Sequence, residues 1–334
     1  MTAPDPALVT RFRADLAALL PDPGGRVLLA VSGGADSLAM LLLARAAMPG
    51  RIACATVDHG LRKDAAAEAA MVGGVCATLA IPHATLTAAP AWRPGGGNIQ
   101  AEARRARYHL LARHCEEHGL RAILTAHHAD DQAETFLMRA NRGAGMAGLS
   151  GVRAVSRVTC CDHDVAIVRP LLGWRRASLA AIVTAAGLQP VDDPGNSDMR
   201  FDRTRVRALL QSADWIDVRR IAAAASHVAE ANDQLDAIAA DVAAQRLHPT
   251  EDAARWRVDV ANLPRELTRR LARRAITAVR EEAGIAAPDW DEGHGIEPLL
   301  DALEAGRGAT RAGVQAAARG TIWTFGPAPP RRAG

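Results

Sequence analysis

Aromatic residues make up only 3% of this 334-residue sequence, and Lys63 is the single lysine among 40 basic residues. So few aromatics leave core filling to aliphatic side chains, which must be gathered in a few strands and helix faces. The five cysteines contain no C-x-x-C pair. Their odd number argues against a closed disulfide framework, so they are read as reduced and structural. No charge of one sign dominates: 40 basic against 37 acidic residues give +3, which announces no nucleic-acid partner. Long apolar runs are also missing. Leu38 to Ala44 falls far short of the roughly 20 residues of a membrane span. The first 20 residues mix Asp and Arg among apolar positions, as in a short amphipathic helix of a cytoplasmic protein rather than a signal peptide. What is present, 49% apolar and 23% charged residues, describes a core-forming chain with room for two domains.

From about residue 25, RVLLAV, IACATV, HATLTA, RAILTA and VAIVRPLL form short buried runs separated by helical patterns. That alternation predicts an α/β fold, a doubly wound, mostly parallel sheet with helices on both faces. Residues 196–248 contain neither Gly nor Pro. One helix of that length would run roughly 80 Å, so a break is expected near 212–214, where Ser or Asp caps a new start. Further helices are expected around 265–282 and 295–305, and TIWTF forms a last apolar piece. The expected organisation is an N-terminal helix and lead-in over 1–24, a catalytic domain over 25–212 and a smaller helix-rich domain over 213–334.

Ligands of such sheets bind beyond the carboxyl ends of the strands. The segments there are SGGADS, DHG and HHADD. SGGADS comprises Ser32, Gly33, Gly34, Ala35, Asp36 and Ser37, between a strand and a helical run, where a helix N-terminus aims free N–H groups at an anion. Adjacent glycines admit a phosphate close to the backbone, and the serines add donors. The segment lacks the G-K-[ST] ending of a P-loop kinase. Asp36 would repel bare phosphate, so it is read as a Mg2+ ligand, holding the ion between itself and phosphate oxygens. The bland alternative is a Gly-rich turn with a capping Asp.

The strand, SGGxDS and helix resemble the PP-loop ATP pyrophosphatases. VDHGLR at 57–62, the run ending in Arg104, Arg107 and Tyr108, TAHHADDQAET at 125–135, RGAGMAGLSG at 142–151, RPLL at 169–172 and DDPGNSD with its following arginines at 192–207 then arrive in one order. That order resembles the tRNA(Ile)-lysidine synthase family over about residues 26–207. Gln100 stands where the family commonly has Glu, and Thr204 where many members have Asn. The length suits the family's two-domain form.

The resemblance implies an ATP-dependent carbon–nitrogen ligase. It would join the ε-amine of L-lysine to C2 of the wobble cytidine in a tRNA(Ile) with a CAU anticodon, converting AUG reading to AUA. The base is adenylated first, and AMP and pyrophosphate are released. SGGADS would cradle the pyrophosphate. A lysine ε-amine, with a pKa near 10.4, is almost wholly charged at pH 7 and must lose its proton. Asp130 and Asp131 are the candidates for holding the ammonium and accepting that proton, one of them instead capping the helix that follows. Asp58 and His59 stand where an α/β sheet binds ribose or base, or else cap the strand. His127 and His128 are read as nucleotide-binding. No H-E-x-x-H or Cys2His2 spacing makes them zinc ligands.

Arg104 and Arg107 share a helix face, suited to phosphate or carboxylate and, in this family, to ATP or the activated nucleotide. Clusters at Arg139 and Arg142, Arg175 and Arg176, and Arg200, Arg203, Arg205 and Arg207 suit a tRNA backbone. Arg265, Arg269, Arg270, Arg273 and Arg274 form a stripe with little acid opposing it in sequence. Asp162, His163 and Asp164 are expected in a solvated turn. A homodimer is compatible with the sequence, and no membrane partner is expected. The rivals are a PP-loop tRNA thiolase, which would carry paired cysteines or a cluster, and a non-catalytic nucleotide-binding module.

Overall fold

The computed structural model describes residues 1–20, 24–58, 60, 65–87, 99–160, 163–191, 202–287, 290 and 295–329, without the side chains of 99–101. His59, Arg62, Cys161, Asp162, the segment 192–201 with Arg200, the Gln100 side chain and the last five residues lie outside what is described.

By its internal contacts the chain divides into two units: Met1–Gly143 with Gly151–Ser226, and Ala144–Ser150 with His227–Gly334. The first unit is built on a six-stranded sheet: β1 (Val27–Ala30), β2 (Ile52–Asp58), β3 (His83–Thr87), β4 (Ala122–Leu124), β5 (Val155–Cys160) and β6 (His163–Val168). Their order is β3-β2-β1-β4-β6-β5, parallel except where β5 pairs antiparallel with β6. The predicted parallel α/β sheet is therefore the observed one. The five anticipated apolar runs are β1, β2, β3, β4 and β6. Edge strand β5, VSRVTC, was not anticipated, because a polar, one-sided strand carries little apolar signal. His163 and Asp164 open β6 rather than lying in a turn.

Strand alternation divides the core into two layers. Val27, Leu29 and Val31 face a cluster fed by α1 (Pro6–Leu19), α2 (Ala35–Ala47), α3 (Ala65–Thr78) and α7 (Arg176–Ala185). Leu28 faces the opposite cluster, with Tyr108, Leu111 and Cys115 of α4 (Ile99–Glu117). Helix α2 is apolar all round and buried from Leu38 to Ala44, as a helix covered on every side must be. The segment read as a lead-in belongs to this core. Val9, Phe12 and Leu16 of α1 are buried in it, and complete burial of a side chain like Phe12 is worth about 1.5–3 kcal/mol. Trp174 locks the same layer: its indole donates to Asp15 (2.8 Å), and the Arg11 guanidinium lies 4.3 Å from the ring centroid.

Helix α5 (Ala129–Asn141) follows β4, and α6 (Met146–Leu149) follows α5. The long helix-compatible stretch breaks as expected, with α8 (Asp202–Ser212) ending before α9 (Val218–Arg246), whose first turn Asp217 caps by accepting the Arg219 N–H (2.8 Å).

The second unit holds α10 (Arg265–Glu282), α11 (Glu297–Glu304) and a five-stranded antiparallel sheet that the sequence did not announce. The strands are β7 (Leu247–Pro249), β8 (Trp256–Asp259), β9 (Ala309–Arg311), β10 (Val314–Arg319) and β11 (Ile322–Pro327), in the order β7-β8-β11-β10-β9. In β10 the inward side chains are Val314, Ala316 and Ala318, so alanine mutes the alternation that marks a strand. The arginine stripe on α10 is corrected too. Arg265 pairs with Glu297, Asp301 and Glu304, Arg269 with Glu266 and Glu297, and Arg270 with Glu266 and Asp236. Three of its five arginines are thus engaged by acids brought from α9 and α11 or one turn away on α10.

Candidate active site

Strand order reverses at β1, which has β2 on one side and β4 on the other, and such a switch point opens a crevice at the strand ends. Two of the three polar segments, SGGADS after β1 and HHADD after β4, are delivered there. Gly33 takes φ +85°, and a Cβ at this position would come within 3.0 Å of Val191 and 3.1 Å of Met71, so glycine is required. Gly34 is the N-cap of α2 and offers no side-chain cap, which leaves the amides of Ala35, Asp36 and Ser37 without intrahelical partners. Ser37 Oγ donates to the Gly34 carbonyl (2.9 Å) and accepts the Ser32 N–H (3.2 Å), fixing the loop.

The two histidines after β4 meet opposite surroundings. His128 is the N-cap of α5, closed by a reciprocal box: Asp131 Oδ2 accepts the His128 N–H (3.0 Å), and His128 Nδ1 accepts the Asp131 N–H (3.3 Å). Its Nε2 lies 3.4 Å from Asp36 Oδ2 and 3.5 Å from Asp131 Oδ2, and Asp130 approaches Nδ1 at 3.7 Å. Burial disfavours the imidazolium, but Asp36 and Asp131 outweigh it and raise the His128 pKa. His127 turns instead toward arginines. Burial, then Arg169, Arg104, Arg107 and Arg203, push its pKa down to about 2, so the ring is neutral at any ordinary pH. Thr125 Oγ1 holds His127 Nδ1 at 3.0 Å. The surroundings of His127 are therefore cationic and those of His128 anionic.

Arg104 and Arg107 of α4 flank the Tyr108 ring, each guanidinium carbon 5.0 Å from its centroid. Burial raises the phenol pKa, yet Arg107, Arg104 and Arg169 outweigh it and lower it. Arg169 is 3% exposed and donates to the Arg153 carbonyl (2.7 Å) and Ser156 Oγ (3.0 Å). The Nε atoms of Arg107 and Arg169 are buried with no hydrogen-bond partner among the described residues. Buried guanidinium groups with spare donors suit an anion.

A family model described as a PP-loop domain matches residues 8–213. The tRNA(Ile)-lysidine synthase of Novosphingobium aromaticivorans is 46% identical over 327 residues, covering 97% of this chain and 94% of its own length. The chain belongs to the tRNA(Ile)-lysidine synthase family. The family's enzyme from Zymomonas mobilis is 38% identical, over 96% of this chain and 94% of its own length. Among solved structures, a U34-tRNA thiolase from Methanococcus maripaludis with its [4Fe-4S] cluster superposes with a TM-score of 0.52, covering 68% of this chain and 77% of that one. At 14% identity this is a likeness of fold alone. Cys54, Cys76, Cys115 and Cys160 are buried here.

Within this family member, the residues expected from sequence fall into distinct settings. Ser32, Gly33, Gly34, Ala35, Asp36 and Ser37 form the loop; Arg104, Arg107 and His127 stand on the cationic side; His128, Asp130 and Asp131 stand on the acidic side. Asp58 closes its own strand end, accepting the Gly60 N–H at 2.8 Å, and so makes the capping contact. Of the adjacent carboxylates, Asp131 is the helix capper. Asp130 is gripped by Arg175 (Nε 3.2 and 3.3 Å, a terminal nitrogen 3.1 Å) and by the Arg176 N–H (2.9 Å). Burial opposes ionisation of Asp130, but these donors outweigh it and lower its pKa.

Sequence reasoning missed Glu134, 1% exposed on α5, which binds Arg203 Nε (2.7 Å) and Arg207 Nε (2.9 Å) of α8. Arg203 also bonds Asp131 at 3.0 Å. Glu134 lies three residues after Asp131 and four after Asp130, so helical spacing alone puts all three on one face. Arg203 and Arg207, expected to track RNA backbone, are thus turned toward α5.

Proposed function

We propose that this chain ligates L-lysine to the wobble cytidine of a CAU-anticodon tRNA(Ile), consuming ATP and releasing AMP and pyrophosphate. The observation that carries this reading is the meeting, at one sheet switch point, of a glycine phosphate loop, an arginine face and a carboxylate face, in a member of this family. ATP enters with its outer phosphates on the amides of 35–37, where the helix dipole favours negative charge. Asp36 Oδ1 is buried with no hydrogen-bond partner among the described residues, an acceptor-only hard oxygen at the phosphate loop. That fits Mg2+, which Asp36 would hold and which would supply charge neutralisation on the phosphates.

A pyrimidine carbonyl is a poor electrophile, and adenylation gives it a leaving group. Arg104, Arg107 and Arg169 stabilise the negative charge that develops on the nucleotide as it forms and later departs. His127, held neutral, packs among them without adding repulsive charge. Lysine approaches the opposite face, where Asp130 and Asp131 together supply the negative potential that holds its ammonium. The ammonium first gives one proton to a carboxylate of this face, which frees the lone pair that attacks C2, and a second proton leaves the nitrogen as the C–N bond forms and AMP departs. On the outside, Trp215 between α8 and α9 is 82% exposed, an unusual position for an aromatic in so aromatic-poor a chain. It offers a stacking surface to an RNA base.

Lysine- and tRNA-dependent formation of AMP and pyrophosphate tests the reading. Turnover with a sulfur donor in place of lysine, or formation of ADP and orthophosphate, would overturn it.

A further inference from the structure

Helix α4 carries Arg104 and Arg107 near its start; its other end bears a separate cluster. His114, Glu117 and His118 bring one potential ligand atom each, two imidazole nitrogens and a carboxylate oxygen, to within 4.8 Å of one another. Helical spacing explains it, since i, i+3 and i+4 stack on one face, and the two rings already lie 4.0 Å apart between centroids. From this end the chain passes straight into the amino end of β4, whereas the candidate active site lies beyond the carboxyl ends of the strands.

We propose that His114, Glu117 and His118 form a binding site for a first-row divalent transition metal of the zinc, nickel or copper class. Two imidazoles and one carboxylate are borderline ligands that favour these ions over Mg2+ or Ca2+. His118 is prepared for the role: its Nδ1 lies 3.0 Å from the His114 carbonyl. Donation of an Nδ1 proton to that carbonyl leaves the Nε2 lone pair free for a metal, the outer-shell arrangement that orients a ligand histidine. The last turn of a helix also bears partial negative charge, which favours a cation.

Metal bonds near 2.1 Å in tetrahedral array require ligand atoms roughly 3.4 Å apart. The longest separation must therefore close by up to about 1.4 Å, which the exposed Glu117 and His118 side chains can do by rotation. The competing contact is weak: Arg113 Nε stands 3.7 Å from Glu117 with both side chains more than half exposed. The order of residues matches the H-x-x-E-H of one class of zinc peptidases. Here Glu117 sits among the ligand atoms, so binding is proposed and hydrolysis is not. Bound metal would clip the final turn of α4 and stabilise the helix that presents Arg104 and Arg107.

Isothermal titration of the full, untagged, chelator-stripped chain with Ni2+ and with Cu2+ tests the site, alongside His118→Ala and the double variant His114→Asn/His118→Asn. The expected result is one ion per chain, Cu2+ tighter than Ni2+, at least tenfold weaker binding in His118→Ala and no binding above background in the double variant. Wild-type protein should also gain thermal stability on adding Ni2+, which the double variant should not. Both variants should retain wild-type circular dichroism and ATP-dependent AMP formation, which separates loss of the site from loss of the fold or of the proposed ligation. Unchanged Ni2+ affinity in the double variant, or no binding to the wild-type chain, overturns the proposal.

Discussion

Glu134 ties α5 to α8, and its replacement by Gln isolates the charge from the shape. The side chain is 1% exposed and accepts from Arg203 Nε, Arg207 Nε and a terminal nitrogen of Arg207 (3.5 Å). Gln keeps one oxygen but turns an NH2 toward a guanidinium, so at least one charge-assisted bond is lost, about 1.5–3 kcal/mol. Complete rupture of a buried pair costs about 3–5 kcal/mol. Arg203 is 47% exposed and regains hydration, whereas Arg207, at 18%, regains little, so roughly 2–3 kcal/mol is expected. For a unit of this size that is a fall of roughly 4–12 °C in Tm. Urea unfolding followed by hydrogen exchange in α5 and α8 peptides reads this first unit separately. Burial works against the ionised Glu134, but Arg207 and Arg203 outweigh it and hold its pKa below the usual 4.5. The stability it contributes is present above pH 4.5 and fades as pH falls through the lowered folded value, so mutant and wild type should converge in acid. Arg142→Ala, which removes an exposed partner of Asp202, should leave the midpoint unmoved. A Glu134→Gln midpoint within about 0.5 kcal/mol of wild type would refute the reasoning, because the pair would then be contributing nothing net.

Asp36→Asn should cut AMP formation by about 100-fold or more while tRNA retention on filters changes less than twofold; equal losses in both would remove Asp36 from the phosphate site. Neutral His127 imposes an acid sensitivity. The unfolded chain takes up a proton below about pH 6.5 that the folded chain refuses, so stability should fall by about 1.4 kcal/mol per pH unit below that point. His127→Asn should flatten this slope, and a slope unchanged in the variant would assign it elsewhere. Trp215→Ala should weaken tRNA binding by about 5- to 100-fold with ATP affinity intact, checked by filter binding against nucleotide titration. The tRNA affinity itself should drop steeply with salt, and a flat dependence between 50 and 200 mM would argue against backbone contacts.

What the sequence determined was everything carried by local pattern. Five runs announced five of the six strands of the mostly parallel sheet: β1, β2 and β4 are continuously hydrophobic because they are covered on both faces, whereas edge strand β3 is only partly buried. SGGADS read as a candidate phosphate loop because its glycines and its place before a helix are local requirements, and the absence of Gly or Pro over 196–248 marked the stretch that holds α8 and α9, broken before Asp217. Where signal was one-sided or muted, as in polar edge strand β5 and alanine-lined β10, the sequence stayed silent. The pairing of charges was decided by tertiary structure alone. A linear chain shows Arg265, Arg269 and Arg270 as an unopposed stripe, yet α11 supplies Glu297, Asp301 and Glu304, and α9 supplies Asp236. Likewise nothing in the doublet HH tells His127 from His128. Neighbours at a strand end point to opposite sides, and only the fold sets Arg104, Arg107, Arg169 and Arg203 around one ring and Asp36 and Asp131 around the other. Electrostatic identity depends on distance in space, which sequence separation does not encode.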